Sequence, residues 1–363
     1  MKKILILANF DLGLYSFRKE LIQALMDKGN KVYISLPYGE LVDKLVDMGC
    51  EFIDTLVDRR GINPLTDMKL LLAYRQIMKK VKPDMVITYT VKPNIYGGLL
   101  CRLYKIPYAT NITGLGTGFQ KDGLLRKFIV FLYKSSLRKV GAVLFENAGD
   151  KQVFVDNNIV TESKGAVLNG AGVNIEEYSF TPMPVSETIR FLFIGRIMKE
   201  KGVDELFEAA KRIKAEFSNV EFDIVGPFED SYEKKVKELE HDGIINFYGY
   251  QTDVKPYIRQ AHCFVLPSYH EGMANTLLEC ASIGRPLITS DIYGCREAVK
   301  DGENGFLCEV GNSDSLYLTI RQFIELDEEK RVRMGRESRL HVENVFDKRV
   351  VVEKTMGVIN GCY

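Results

Sequence analysis

Residues 190–203 read Arg190-Phe191-Leu192-Phe193-Ile194-Gly195-Arg196-Ile197-Met198-Lys199-Glu200-Lys201-Gly202-Val203. A short apolar run broken by glycine and followed by a charged turn predicts a buried strand leading into a helix that begins near Val203. Outward from this unit the pattern repeats. Downstream, residues 220–225, 245–248, 263–266 and 286–290 are strand-like, with helical spacing between them. Upstream, residues 4–8, 32–36, 85–89, 108–112 and 142–145 make an earlier series of the same kind. Strands alternating with amphipathic stretches predict parallel sheets with crossover helices. The first series ends with Val167-Leu168-Asn169-Gly170-Ala171-Gly172-Val173-Asn174, and a polar connection holding Thr181-Pro182-Met183-Pro184 precedes the restart. The expected fold class is α/β, with two doubly wound, Rossmann-like lobes at residues 1–174 and 175–345.

A chain of 363 residues is roughly twice a common domain size, which agrees with two lobes, each burying its own core. Lys plus Arg number 49 and Asp plus Glu 49, so there is no basic excess of the kind that phosphate contacts to nucleic acid require. The halves differ, however. Residues 1–174 carry 25 basic and 16 acidic side chains and the remainder 24 and 33, a balance of +9 against −9. Either the lobes differ by surface drift, or a basic lobe faces an anionic surface. The seven cysteines are odd in number, form no Cys-x-x-Cys pair and sit mostly in apolar stretches, as buried thiols of a reducing compartment do. Asn9 and Asp11 end the first apolar run too early for a signal peptide, and no apolar stretch reaches 18 residues. A cytoplasmic location is expected.

In open parallel sheets, ligands bind beyond the carboxyl ends of the strands, and with two sheets the cleft between lobes is the expected site. The first strand-to-helix turn, Asn9-Phe10-Asp11-Leu12-Gly13-Leu14, lacks a G-x-G-x-x-G fingerprint, which counts against a dinucleotide enzyme. After the strand at 190–194, Arg196 and Lys201 place two cations on one turn. Such a turn suits a diphosphate, with each charge-assisted contact contributing roughly 1.5–3 kcal/mol. The other possibility is a solvated charged turn. A second segment, Ser268-Tyr269-His270-Glu271-Gly272-Met273-Ala274-Asn275-Thr276-Leu277-Leu278-Glu279, follows the strand at 263–266. Helical spacing over 273–282 would leave the N–H groups near Ala274, Asn275 and Thr276 free to meet an anion. At about 1.5 Å rise, Glu271 and Glu279 would lie roughly 12 Å apart along the axis. That is too far for one acid–base pair, but it suits the two ends of one ligand. Glu279 could equally be an ordinary surface glutamate.

Together the Arg196/Lys201 turn and the Glu271-to-Glu279 segment resemble family 4 of the retaining glycosyltransferases, which have the GT-B fold. The resemblance covers nearly the whole chain. It implies that the active site lies between the lobes and that a C-terminal helix, residues 346–363, crosses back to complete the first. It further implies that Arg196 and Lys201 neutralise the donor diphosphate, Glu271 engages the transferred sugar, and Glu279 holds the ribose. Gly249, Tyr250 and Gln251 would flank the base, and Gly13, Gly195, Met273, Ala274, Asn275 and Thr276 would complete the donor site. The reaction would be front-face transfer with retention. No Asp-x-Asp and no metal-spaced ligand cluster occurs, so no metal or other cofactor is implied.

Tyr89-Thr90-Val91-Lys92-Pro93-Asn94-Ile95-Tyr96-Gly97, followed by Thr113-Gly114-Leu115-Gly116, resembles the branch that builds capsules and O-antigens on undecaprenyl diphosphate. The partners it implies are a nucleotide sugar, with UDP favoured, and a polyprenyl-diphosphate-linked saccharide. Relatives often place a histidine in the loop 111–119, whereas all four histidines here (His241, His262, His270, His341) lie in the second half. Thr113 takes that position, with Gly114 and Gly116 beside it. Residues 121–139 hold six basic side chains and one acidic one around an apolar centre. They are either a buried helix with solvated ends or an amphipathic helix on an anionic membrane surface, using Arg126, Lys127, Lys134 and Arg138. Residues 69–82 could extend that patch. Two rival functions remain: a hydrolysing UDP-sugar 2-epimerase, which needs acid/base residues in the first lobe, and a catalytically silent sugar-nucleotide-binding subunit.

Overall fold

Isoleucine and leucine alternate along the first strand, β1 (Lys3–Leu7), so that Ile4 and Ile6 enter one apolar core while Leu5 and Leu7 enter another. Both faces are thus covered, as a parallel sheet between helix layers requires. The computed structural model describes residues 1–58, 63–116, 119 and 123–362. These form two compact units, one of Met1–Ala171 with the C-terminal segment from Lys348, the other of Gly172–Asp347.

The first unit carries seven parallel strands: β1, β2 (Lys31–Leu36), β3 (Glu51–Asp54), β4 (Met85–Tyr89), β5 (Tyr108–Ile112), β6 (Ala142–Phe145) and β7 (Gly165–Val167). Their order, 3-2-1-4-5-6-7, reverses direction between β1 and β4. The crossovers are α1 (Asp11–Asp27), α2 (Val42–Asp47), α3 (Pro64–Val81), α4 (Gly98–Tyr104), α5 (Leu124–Leu137) and α6 (Ala148–Asp156), with a π-helical turn at Pro93–Gly97 before α4.

The second unit holds β8 (Ile189–Ile194), β9 (Val220–Val225), β10 (Asn246–Phe247), β11 (Cys263–Leu266), β12 (Leu287–Ser290) and β13 (Gly305–Cys308), ordered 10-9-8-11-12-13. Its helices are α7 (Val203–Glu216), α8 (Glu233–His241), α9 (Lys255–Gln260), α10 (Asn275–Ile283), α11 (Ser313–Ile324) and α12 (Glu328–Val345). The last helix, α13 (Lys348–Asn360), belongs to the first unit. Its Met356 and Ile359 enter the same core as Leu14, Leu21 and Leu25 of α1, and Lys348 Nζ donates to the Phe17 carbonyl at 3.3 Å. Val351 and Thr355 are buried with them, while Val358 is only half-buried.

Three strands were absent from the sequence reading, and each has a reason. β3 and β7 are edge strands without a continuous apolar run, and β13 begins with a glycine packed against the Leu287 carbonyl. The strand expected at 245–248 shrinks to two residues, because Gly249 follows in the left-handed region, φ +63°. The helix expected from 346 starts at Lys348, since Asp347 is bridged to Val173. All seven cysteines are free thiols, six of them buried.

Side-chain caps separate two groups of helices. Asn63, Asn147, Asn312 and Asp327 each accept a backbone N–H at the start of α3, α6, α11 and α12. Eight others have no side-chain cap, among them α7 and α10, which follow β8 and β11. Their first-turn N–H groups lack intrahelical acceptors, which leaves room for an outside one. No described helix is long and apolar enough to cross a membrane.

Candidate active site

The second sheet reverses direction between β8 and β11, and in such sheets the ligand crevice lies outside the carboxyl ends of the strands at that point. Both motifs singled out in the sequence sit there. Gly195 follows β8, and the turn through Arg196 to Lys201 closes with a short 3₁₀ segment, Lys199–Lys201, before α7. Ser268 to Glu271 follow β11.

Backbone contacts stitch the two loops together. Gly202 adopts φ +69°, and a Cβ there would lie 2.0 Å from the Pro267 carbonyl oxygen, so only glycine fits. The Tyr269 N–H donates to the Glu200 carbonyl at 2.9 Å. Onto this frame the side chains converge: Lys201 Nζ lies 2.5 Å from Glu271 Oε1, and Ser268 Oγ donates to the same oxygen at 2.7 Å. A third loop, after β12, closes the arrangement. The Gly294 carbonyl accepts from the Ala274 N–H at 2.9 Å, and a Cβ on Gly294 would lie 2.5 Å from the Glu271 carbonyl oxygen.

The remaining assigned residues are placed less uniformly. Arg196 pairs with a different carboxylate, its Nη1 lying 3.5 Å from Glu229 Oε2 with the guanidinium half-exposed. The helix expected over 273–282 begins at Asn275 instead, leaving Met273 and Ala274 buried in the preceding loop. Ala274 therefore does not offer a free N–H, because Gly294 has taken it. Only the span from Asn275 to Glu279 is helical, about 6 Å of rise, so the 12 Å ruler between the carboxylates does not apply. Asn275 and Thr276 occupy the first turn, and Asn275 Oδ1 is buried with no hydrogen-bond partner among the described residues.

Glu279 is bonded to the Tyr178 hydroxyl; burial, and then the Glu279 charge, hold that phenol above its ordinary range. The Lys255 ammonium lies 5.5 Å from the Tyr178 ring centroid. Near the end of β10, the Gly249 carbonyl accepts from the Gly226 N–H at 2.8 Å, Tyr250 is exposed, and Gln251 Nε2 donates back to the Tyr248 carbonyl at 2.7 Å. Gln251 thus braces its own loop. Ser268, Tyr178 and Glu229 were missed in the sequence because nothing local marks a serine, tyrosine or glutamate as another side chain's partner.

In the first unit, Gly13 lies inside α1 rather than in a turn, and a Cβ there would make an ordinary 3.6 Å contact with Phe10. Thr113 is half-buried after β5, and Gly114 and Gly116 sit at φ +124° and +72°. Thr117 and Gly118 of that loop lie outside the described residues. Arg18 and Glu146 form a buried ion pair between α1 and the end of β6, with the Arg18 guanidinium 5.2 Å from the Tyr89 ring centroid. Helix α5 is amphipathic in an unusual sense. Tyr133, Ser136 and Leu137 face the core, while Leu124, Leu125, Phe128 and Phe131 are exposed beside Lys127, Lys134 and Arg138, with Arg126 half-exposed. The start of the segment read as basic, Lys121 and Asp122, is outside the described residues.

Comparison with known proteins bears on the family and the fold. The family model described as "Glycosyl transferases group 1" matches residues 174–341, and that described as "Glycosyl transferase 4-like" matches residues 3–147. The chain carries a group 1 and a 4-like glycosyltransferase domain. This glycosyltransferase is 26% identical over 367 residues to the N,N'-diacetylbacillosaminyl-diphospho-undecaprenol alpha-1,3-N-acetylgalactosaminyltransferase of Campylobacter jejuni, covering 96% of each chain. It is 28% identical to the UDP-Gal:alpha-D-GlcNAc-diphosphoundecaprenol alpha-1,3-galactosyltransferase of Escherichia coli, covering 86% of this chain and 84% of the relative. Among solved structures, a glycosyltransferase from Rickettsia africae superposes with a TM-score of 0.81 at 21% identity, covering 99% of this chain and 97% of the other. Anabaena Alr3699/HepE in complex with UDP also gives 0.81, at 17% identity and 99% of both chains. The fold of this glycosyltransferase is GT-B.

Proposed function

We propose that this chain is a retaining family 4 enzyme. It moves a hexose or N-acetylhexosamine from a UDP-sugar to a saccharide carried on undecaprenyl diphosphate, in the synthesis of a bacterial surface polysaccharide. The observation that carries the reading is the convergence of Lys201 and Glu271 at the reversal point of the second sheet, on loops joined by backbone bonds. Lys201, Arg196 and the uncapped start of α10 supply positive potential for a departing diphosphate. Glu271 accepts from hydroxyls of the transferred sugar, and Glu279, aligned by Tyr178, accepts from the ribose. The acceptor hydroxyl attacks from the face that the diphosphate leaves, so no protein nucleophile takes part. The printed substrates of the Campylobacter and Escherichia relatives favour a polyprenyl-diphosphate acceptor, and the Anabaena complex favours UDP.

The same reading puts the enzyme on the cytoplasmic face of the membrane. Leu124, Leu125, Phe128 and Phe131 enter the interface, and Arg126, Lys127, Lys134 and Arg138 meet anionic headgroups. One experiment tests the reaction: incubation with radiolabelled nucleotide sugars and a bacterial membrane lipid extract. Label in the lipid fraction is expected. Epimerised free sugar would identify a 2-epimerase, and unchanged donor across all sugars would leave a binding subunit.

A further inference from the structure

Lys201 and Ser268 both bond to Oε1 of Glu271, at 2.5 and 2.7 Å, and neither bonds to Oε2. The pair is mostly out of water, with the Lys201 and Glu271 side chains 19% and 12% exposed. We infer that Glu271 competes with a diphosphate for Lys201 and yields it readily only to a nucleotide that brings its own sugar, so that the enzyme discriminates donor from by-product. The inference rests on the proposed reading of Lys201 as a diphosphate ligand.

The physical argument concerns what each ligand leaves behind. A diphosphate that draws Lys201 toward itself strips a shielded carboxylate of its cation and places more negative charge beside it. Removing one member of a largely buried pair is costly because the other charge stays desolvated. A nucleotide sugar offsets this loss, because sugar hydroxyls can donate to the Glu271 oxygens. A bare nucleoside diphosphate has no such donors at that end. Ser268 matters here as a positioning residue, since it is fully buried and its hydroxyl fixes which oxygen faces Lys201. The consequence is weaker retention of the nucleotide by-product than of the donor.

The test is calorimetric titration with UDP, and with GDP in parallel, of the wild type, Glu271→Gln, Ser268→Ala, Lys201→Ala and the Lys201→Ala/Glu271→Gln double variant. Glutamine keeps the shape and the Ser268 bond while removing the charge. Nucleotide binding to Glu271→Gln should tighten roughly three- to tenfold, and the gain should vanish in the Lys201→Ala background. Ser268→Ala, which leaves the carboxylate dependent on Lys201 alone, should shift affinity in the opposite direction, by about two- to threefold. Unchanged or weaker binding by Glu271→Gln, with Lys201→Ala still weakening the nucleotide, overturns the competition inference and spares the diphosphate reading. A gain that persists without Lys201 also overturns it, because the carboxylate then acts by direct repulsion. If Lys201→Ala binds as the wild type does, or if the wild type binds neither nucleotide, the diphosphate reading falls and the inference with it.

Discussion

The turn around Lys201 and helix α5 are both rich in basic side chains, and they treat them in opposite ways. In the turn each assigned cation has an acidic partner from another loop, Lys201 with Glu271 and Arg196 with Glu229, and the backbone is pinned to a neighbouring loop. On α5, Lys127, Lys134 and Arg138 stand exposed beside exposed Leu124, Phe128 and Phe131. Formal charge is therefore a poor guide to use. Lys201 is held by a shielded carboxylate between loops joined by backbone bonds, whereas the exposed cations of α5 stand among exposed apolar groups.

The largest effect that would break this contrast is on turnover. Glu271→Ala should lower transfer from a complete sugar donor by roughly 100- to 1000-fold, measured as labelled lipid per minute, while unfolding remains cooperative. Normal transfer would remove Glu271 from the site. On α5, replacing Arg126, Lys127, Lys134 and Arg138 together with Gln should abolish low-salt sedimentation with anionic liposomes, each charge contributing about 1 kcal/mol. Transfer to a short soluble acceptor should persist. Equal loss on short and long-chain acceptors would mean that these residues support the fold or the acceptor instead.

A third test addresses rigidity. Gly202→Ala places a Cβ against the Pro267 carbonyl in a left-handed backbone, and should destabilise by about 2–4 kcal/mol. Gly357, inside α13, where an added Cβ meets nothing within 4 Å among the described residues, should tolerate alanine without a loss of melting temperature. In nucleotide binding, Lys201→Ala should cost roughly 1.5–3 kcal/mol, and the half-exposed Arg196→Ala less. The reverse order would make Arg196 the main phosphate contact.

The smallest effect depends on pH and again separates the units, because the first contains no histidine. His262 is buried, its Nδ1 accepting from the Arg190 N–H at 3.1 Å, and burial, then the charge of Arg285, lowers its pKa to about 4. The unfolded chain therefore binds this proton more tightly than the folded one. The contribution to stability is complete above about pH 6.5 and declines as pH falls toward 4, by about 1–3 kcal/mol. Denaturant melts at pH 7 and 4.5 should show this loss, and His262→Gln should flatten it. An unaltered slope in that variant would assign the loss to other groups.

Much of the architecture was legible because parallel strands buried on both faces leave continuous apolar runs, as at Met85–Tyr89 and Cys263–Leu266, whose bounds match the sequence reading. The edge strands Glu51–Asp54 and Gly165–Val167 were not, since they are only partly covered and carry no such run. The same limit applies within the site. Lys201 and Glu271 stand out by their spacing, but Ser268 becomes meaningful only once its hydroxyl is found on Glu271, and Tyr178 only once it is found on Glu279.

Period-two and period-3.6 patterns, glycines at turns and the two charged motifs belong to neighbours along the chain. They alone settle the α/β class, the two series of strands and the candidate cations and carboxylates. Which cation meets which carboxylate, which helix-start N–H is already taken, and which apolar side chains of α5 stay in water depend on contacts between residues tens of positions apart. Lys201 and Glu271 are separated by 70 residues, and what joins them is the reversal of strand order that sets β8 beside β11. Local pattern carries no record of that adjacency, because burial and pairing are properties of the packed chain.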